Sequence, residues 1–218
     1  MTSSVAPALV ARVREEAGAF FAGARGSHDW DHTERVRRLA LRIGRKEKAD
    51  LGVLELAALL HDVGREAEDR SRGRDCHAKA GAALARTVLE RNGVDRATVR
   101  AVVHCIATHR YRGRAVPESL EAKVLFDADK LDSIGAVGVG RAFLFAGEVG
   151  ARLHDKDVDV AKTKPYTRED TAYREYLVKL GRVRDRMTTR EGRRLAAGRH
   201  RFMAAFFARL HKETDGIL

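Results

Sequence analysis

Two cysteines, three prolines and no long apolar run set the first limits on this 218-residue chain. Cys76 and Cys105 form no CxxC pair and are too few for a disulfide framework. Both are read as reduced, buried thiols, which argues against a small secreted scaffold. No stretch approaches the roughly 18 uninterrupted apolar residues of a membrane span. The N-terminal MTSSVAPALVARVREE has no charged start ahead of an apolar segment. The chain is therefore expected to be soluble and cytoplasmic, with no membrane partner. Strand alternation is also missing. Only AKVLFDA (122–128) could form a short strand, and its helical flanks favour a buried helix. No repeat or low-complexity linker divides the sequence, so it is read as one all-helical domain spanning 1–218.

What is present is charge and helical periodicity. Lys and Arg number 42 against 31 acidic residues, a net charge of +11. Such a surface attracts anions: nucleotides, phosphates or nucleic acid. The plainer reading is an arginine-rich, helix-compatible surface. Apolar residues recur at helical spacing over 5–22 and again from Thr33 to about Lys48, where Val36, Leu39, Ala40 and Ile43 make one stripe. Further helices are predicted over 54–60, with Gly64 near the end, then 76–92 closed by Asn92-Gly93, and a helix to about Thr108 capped by Asp95. Residues 118–130, 133–148, 168–187 and 190–212 follow, the last opened by a Thr188/Glu191 capping box. The polar stretch 150–165 is expected to be a long, mobile loop.

The chemistry begins at LAALLHDVGRE (56–66). An apolar helical run ends on His61 and Asp62, which are costly to bury unless hydrogen-bonded, ion-paired or metal-bound. Neighbouring side chains lie about 100° apart around a helix, so at a helix end such a pair can serve one ion. Upstream, SHDWDHTERV (27–36) places His28, Asp29, Asp31 and His32 ahead of the Val36 stripe. Downstream, LFDADKLDSIGAVG (125–138) interrupts an apolar pattern with Asp127, Asp129 and Asp132. Asp129 stands four and three residues after Leu125 and Phe126, against the buried face. Three segments thus each offer a ligand from a mainly apolar helix, the way helix bundles build internal metal sites.

His32, His61-Asp62 and Asp129 together resemble the H…HD…D pattern of the HD superfamily of metal-dependent phosphohydrolases. HDWDHTERV, LLHDVGR and DADKLDSIGAVG are similar to the small bacterial members, as is the tail MTTREGRRLAAGRHRFMAAFFARL. The likeness covers nearly the whole chain and is weakest over 1–20 and 150–165. It implies an HD-domain, phosphodiesterase-like helical bundle with a motif-bearing core over about 26–148 and C-terminal helices over about 168–212. It also implies a divalent metal (Mn²⁺, Mg²⁺, Fe²⁺ or similar) held by His32, His61, Asp62 and Asp129. The substrate class it implies is a nucleotide or similar small phosphorylated molecule. One member activity is conversion of a nucleoside triphosphate to monophosphate and pyrophosphate. A nucleoside monophosphate phosphatase or a phosphodiesterase is the enzymatic alternative, and a basic nucleotide- or nucleic-acid-binding module the non-enzymatic one.

Phosphoryl transfer asks a protein for positioning and positive charge. Arg65, Lys130 and Arg110 are candidates to neutralise developing charge. His77 and His109 are candidates for phosphate contact, for support of the ligands or for a second ion. Glu66 could orient a water or hold Arg65, or be a solvated helix-end residue. His28 and Asp31 are expected to set the turn before His32. Asp127 and Asp132 are read as capping or ion-paired groups, and His104 as a structural histidine. The arginine-rich C-terminal helix carries Leu195, Phe202, Phe206 and Leu210 at helical spacing. It has an ordinary core face, so dedicated nucleic-acid binding is not expected. Gly135, Gly138 and Gly140 follow no strand and are read as close helix packing.

Overall fold

A computed structural model of the chain describes residues 5–23, 29–71, 74, 76–110 and 115–218. Every regular element among them is helical, and the fold is all-α. No helix among the described residues is long and apolar enough to cross a membrane. The chain divides into two compact units, Met1–Asp129 with Thr188–Glu191, and Lys130–Met187 with Gly192–Leu218.

In the first unit the first helix starts at a proline and three others start at an aspartate cap. Pro7 opens α1 (Pro7–Ala19), where its missing N–H costs nothing. Asp29 accepts from the His32 N–H at 2.9 Å to start α2 (Trp30–Glu47). Asp50 accepts from the Gly52 and Val53 N–H groups to start α3 (Leu51–Leu60). The helix after the 61–64 turn, α4 (Arg65–Arg70), was not anticipated. α5 (His77–Arg91) ends at Asn92, with Gly93 at φ 74°. Asp95 caps α6 (Arg96–Thr108). α7 (Leu120–Asp132) contributes its residues through Asp129.

α3 is the centre of this unit. Val53, Leu54 and Leu56 to Leu60 are all buried, and α1, α2 and α6 pack around it. A helix apolar on every face but the one that carries Glu55 is an interior one. Burying each leucine is worth about 1.5–3 kcal/mol, so α3 fixes where its last residue, and the His61-Asp62 pair after it, must lie.

Asp127 locks α7 to the segment ahead of the last helix. Its fully buried carboxylate accepts from the Thr188 N–H at 2.8 Å and hydroxyl at 3.0 Å, and from the Thr189 N–H at 2.8 Å and hydroxyl at 2.7 Å. Asp127 is thus a structural anchor, as its reading as a capping group anticipates. Asp127→Ala should cost about 3 kcal/mol by leaving buried donors without an acceptor; an unchanged urea midpoint would contradict this.

The second unit holds α8 (Gly135–Glu148), α9 (Ala172–Val178) and α10 (Arg190–Thr214) from Gly192 onward. The helix expected over 168–187 is broken. α9 covers only Ala172–Val178, Lys179 leaves helical dihedrals at φ −143°, and a 3-10 segment runs Leu180–Arg186. Gly181, two residues on, is the local signal for that break. The expected loop over 150–165 is largely irregular apart from a 3-10 turn at Val160–Lys162, but it is tied down. Buried Arg174 donates to Thr163 and to Asp170, and Lys156 pairs with Asp215. Gly138 does mark close packing, since a Cβ there would lie 2.9 Å from Met203 Cε, whereas Gly140 faces open space. Asp132 pairs with Arg141 at 2.8 Å.

Candidate metal centre

The polar residues of the core converge because four helix ends of the first unit meet there. His32 sits in the first turn of α2, four residues before Val36 on the buried stripe, and is fully buried. His61 and Asp62 follow the end of α3. His77 opens α5, and His109 closes α6. Asp129 lies on α7 against Leu125 and Phe126. All six are buried.

Asp62 divides the cluster in two. Its Oδ2 lies 3.6 Å from both His32 Nε2 and His61 Nε2. Those two nitrogens are 3.3 Å apart, and Asp129 Oδ1 lies 3.5 Å from His32 Nε2. Asp62 Oδ1 faces the other way, 3.4 Å from His109 Nε2, 3.8 Å from His77 Nε2 and 3.0 Å from Arg65 Nε.

The ring tautomers follow from what each Nδ1 touches. His61 Nδ1 donates to Ala58 O at 2.8 Å, His109 Nδ1 to Ile106 O at 2.6 Å and His77 Nδ1 to Glu68 Oε2 at 2.7 Å. Each acceptor is an oxygen, so the proton is on Nδ1 and each Nε2 turns a lone pair inward. His77 Nε2 and His109 Nε2 are buried and hydrogen-bond to nothing among the described residues.

This arrangement fits a metal ion. Ligands each about 2.1 Å from one ion stand roughly 3.0–3.5 Å apart in octahedral or tetrahedral geometry, close to the 3.3–3.6 Å seen among His32, His61, Asp62 and Asp129. Two imidazoles and two carboxylates suit Mn²⁺, Fe²⁺ or Zn²⁺. A second group, Asp62 with His77 and His109, also brings three ligand atoms within 4.8 Å of one another.

Comparison with known proteins agrees with this geometry. The HD domain family pattern matches residues 29–134. YpgQ of Bacillus subtilis strain 168 is 39% identical over 195 residues, covering 87% of this chain and 86% of YpgQ. The chain belongs to the HD domain family. It is a metal-dependent hydrolase by that membership. The crystal structure of B. subtilis YpgQ in complex with ADP superposes with a TM-score of 0.74 at 34% identity, covering 94% of this chain and 95% of that one. An HD-superfamily hydrolase from Bacillus thuringiensis gives a TM-score of 0.74 at 26% identity, covering 94% and 96%.

Within this HD domain the remaining candidates separate. Arg65 reaches the cluster. Burial alone would lower its pKa, but the Asp62 charge overrides that and holds the guanidinium protonated. Arg110 lies near it through Glu68, 3.0 Å away. Glu66 does not join; it is exposed and pairs with Arg70. Lys130 is buried, in the second unit. Asp31 is exposed, and the turn before His32 is made by Asp29. His28 lies outside the described residues. His104 accepts from the Glu118 N–H, a structural role. Glu68 is the residue that the sequence reading missed. REAEDR is polar all round, and the one available signal was an acid three residues after Arg65.

Burial sets the acid limit of the site. It lowers His61 from the ordinary 6.5 to about 4, against the opposing pull of Asp62 and Asp129, and takes His77 to about 2 with the help of Arg65. Between these values and 6.5 the unfolded chain binds protons that the folded chain refuses. Stability therefore rises with pH and is lost as pH falls from about 6.5 towards 4. His61 alone accounts for about 3 kcal/mol. Urea midpoints measured from pH 7.5 to 4.5 should fall steadily, and a flat profile would contradict the buried neutral imidazoles.

Proposed function

We propose that this HD hydrolase is a phosphohydrolase acting on a nucleotide, releasing pyrophosphate from a nucleoside triphosphate. The observation that carries the reading is the juxtaposition at Asp62. One carboxylate oxygen faces His32 and His61 beside Asp129, and the other faces two imidazole lone pairs and a guanidinium. The ADP complex of YpgQ supports a nucleotide as ligand.

When bound, a divalent ion supplies Lewis acidity to a phosphoryl oxygen and acidifies water. His32, His61, Asp62 and Asp129 would hold it. Arg65 and Arg110 place fixed positive charge where phosphate oxygens need it. The Nε2 lone pairs of His77 and His109 face the same edge as hydrogen-bond acceptors. They face that edge as acceptors rather than as ligands of a second ion, because Arg65 already balances Asp62 Oδ1 at 3.0 Å. A second dication there would sit against a fixed positive charge. One ion per chain is the expected stoichiometry.

The test is a panel of nucleoside triphosphates and monophosphates with Mn²⁺, resolving pyrophosphate from orthophosphate, with chelator as the control and metal content read in parallel. Chelator-sensitive pyrophosphate supports the proposal. Orthophosphate from monophosphates would replace it with a phosphatase, and two ions per chain would overturn the role given to His77 and His109.

A further inference from the structure

Glu68 stands behind the site and touches three of the groups that shape its anion-facing edge. Its Oε2 accepts from His77 Nδ1 at 2.7 Å and lies 3.3 Å from an Arg65 nitrogen, while its Oε1 lies 3.0 Å from Arg110. The side chain is 13% exposed. Three positive or hydrogen-donating partners on a nearly buried carboxylate leave it little to do structurally that an amide could not do in part. What an amide cannot do is accept on both oxygens at once.

We infer that Glu68 is the positioning residue of this site: by holding the His77 Nδ1–H it forces the His77 Nε2 lone pair towards Asp62 and spaces Arg65 and Arg110 on either side. The alternative state is specific. If Nδ1 loses its acceptor, the proton can move to Nε2, and His77 becomes a donor aimed at Asp62 Oδ1, 3.8 Å away. An acceptor at the edge would then be replaced by a donor that ties up the shared carboxylate. Glu68 prevents that exchange without touching substrate. Carboxylates that orient a metal-ligating histidine in this way typically matter by about 10–100-fold when removed, and an effect on the same scale is expected here.

The kinetic part of the test rests on the phosphohydrolase reading; the spectroscopic part does not. In Mg²⁺-loaded protein with ¹⁵N-labelled histidine, and His77→Gln used to assign the signal, the wild-type His77 ring should carry its proton on Nδ1. In Glu68→Gln the Nε2-protonated form should appear. A wild-type proton on Nε2, or an unchanged ring in Glu68→Gln, would overturn the inference, and the wild-type spectrum decides it even if the variant does not fold. In turnover, Glu68→Gln should lower kcat about 10–100-fold at unchanged metal content, and should cost little more once His77→Gln is present. A loss that adds in full to that of His77→Gln would also overturn it. Should the wild type turn over no nucleotide, the phosphohydrolase reading fails while the ring tautomer still judges Glu68.

Discussion

Asp62→Ala should strip the chain of bound metal and lower kcat/KM by roughly a thousandfold or more, since several kcal/mol of transition-state stabilisation depend on the ion. The effect should exceed that of any other single carboxylate. Asp62 is common to both halves of the cluster: Oδ2 faces His32 and His61, and Oδ1 faces Arg65, His77 and His109. Its removal withdraws a ligand and also leaves the Arg65 guanidinium short of its nearest countercharge in a buried setting, which adds a cost to folding. Asp62→Asn separates the two consequences. The amide keeps shape and volume and still offers Arg65 an oxygen to donate to, but no countercharge, so metal loss should persist while only part of the folding cost is relieved. Glu66→Ala is the matched control. Glu66 lies four residues along the chain but pairs with Arg70 at the surface, and its removal should leave turnover within about twofold, as surface substitutions generally do. Metal content by elemental analysis together with turnover decides the matter. An Asp62→Ala protein with full metal and full activity would sink the assignment.

How much of this was legible beforehand depends on what each residue interrupts. His61 ends an apolar helical run and Asp129 interrupts one, while His32 stands just ahead of the Val36 stripe, and a polar group so placed is visible without a structure. The all-α fold was legible for a similar reason: the cap at Asp95 and the stripe through Val36, Ala40 and Ile43 are local signals, and the fold uses them locally. Glu68 carries no such mark. Its helix is six polar-rich residues long, and its role depends on His77 and Arg110, which α5 and α6 bring to it from elsewhere in the chain. The break at Lys179 was also hidden. Residues 168–187 contain no proline, and only the glycine at 181 hints that a short helix gives way to 3-10 geometry. Asp127 was legible as a structural group, but not its partners, because Thr188 and Thr189 lie more than 60 residues away.

Gly64→Ala should be the most damaging conservative change in the first unit. A Cβ at position 64 would lie 2.3 Å from His77 O, 2.4 Å from Gly81 N and 2.9 Å from Gly81 Cα. All three are backbone atoms, so no side-chain rotation relieves the contact. The first turns of α5 would have to move as a body, or the turn after Asp62 would have to open. Overpacking of this kind costs about 1–3 kcal/mol where side chains can yield, and more where they cannot; a loss of about 4 kcal/mol is the expected result. Function should suffer separately. His77 opens α5, and a displacement of about 1 Å relative to Asp62 is enough to cost about 100-fold in rate. Gly81, on the other side of the contact, provides the comparison. A Cβ there meets Gly64 N and His61 O at 3.4 Å, near ordinary van der Waals distance. Its helix would gain up to about 1 kcal/mol of propensity from alanine. Gly81→Ala should therefore match or exceed the wild type in urea midpoint and retain turnover, while Gly64→Ala falls in both. Equal stability and turnover in the two variants would mean that the close approach of α5 to the His61–Gly64 turn is not what holds His77 beside Asp62.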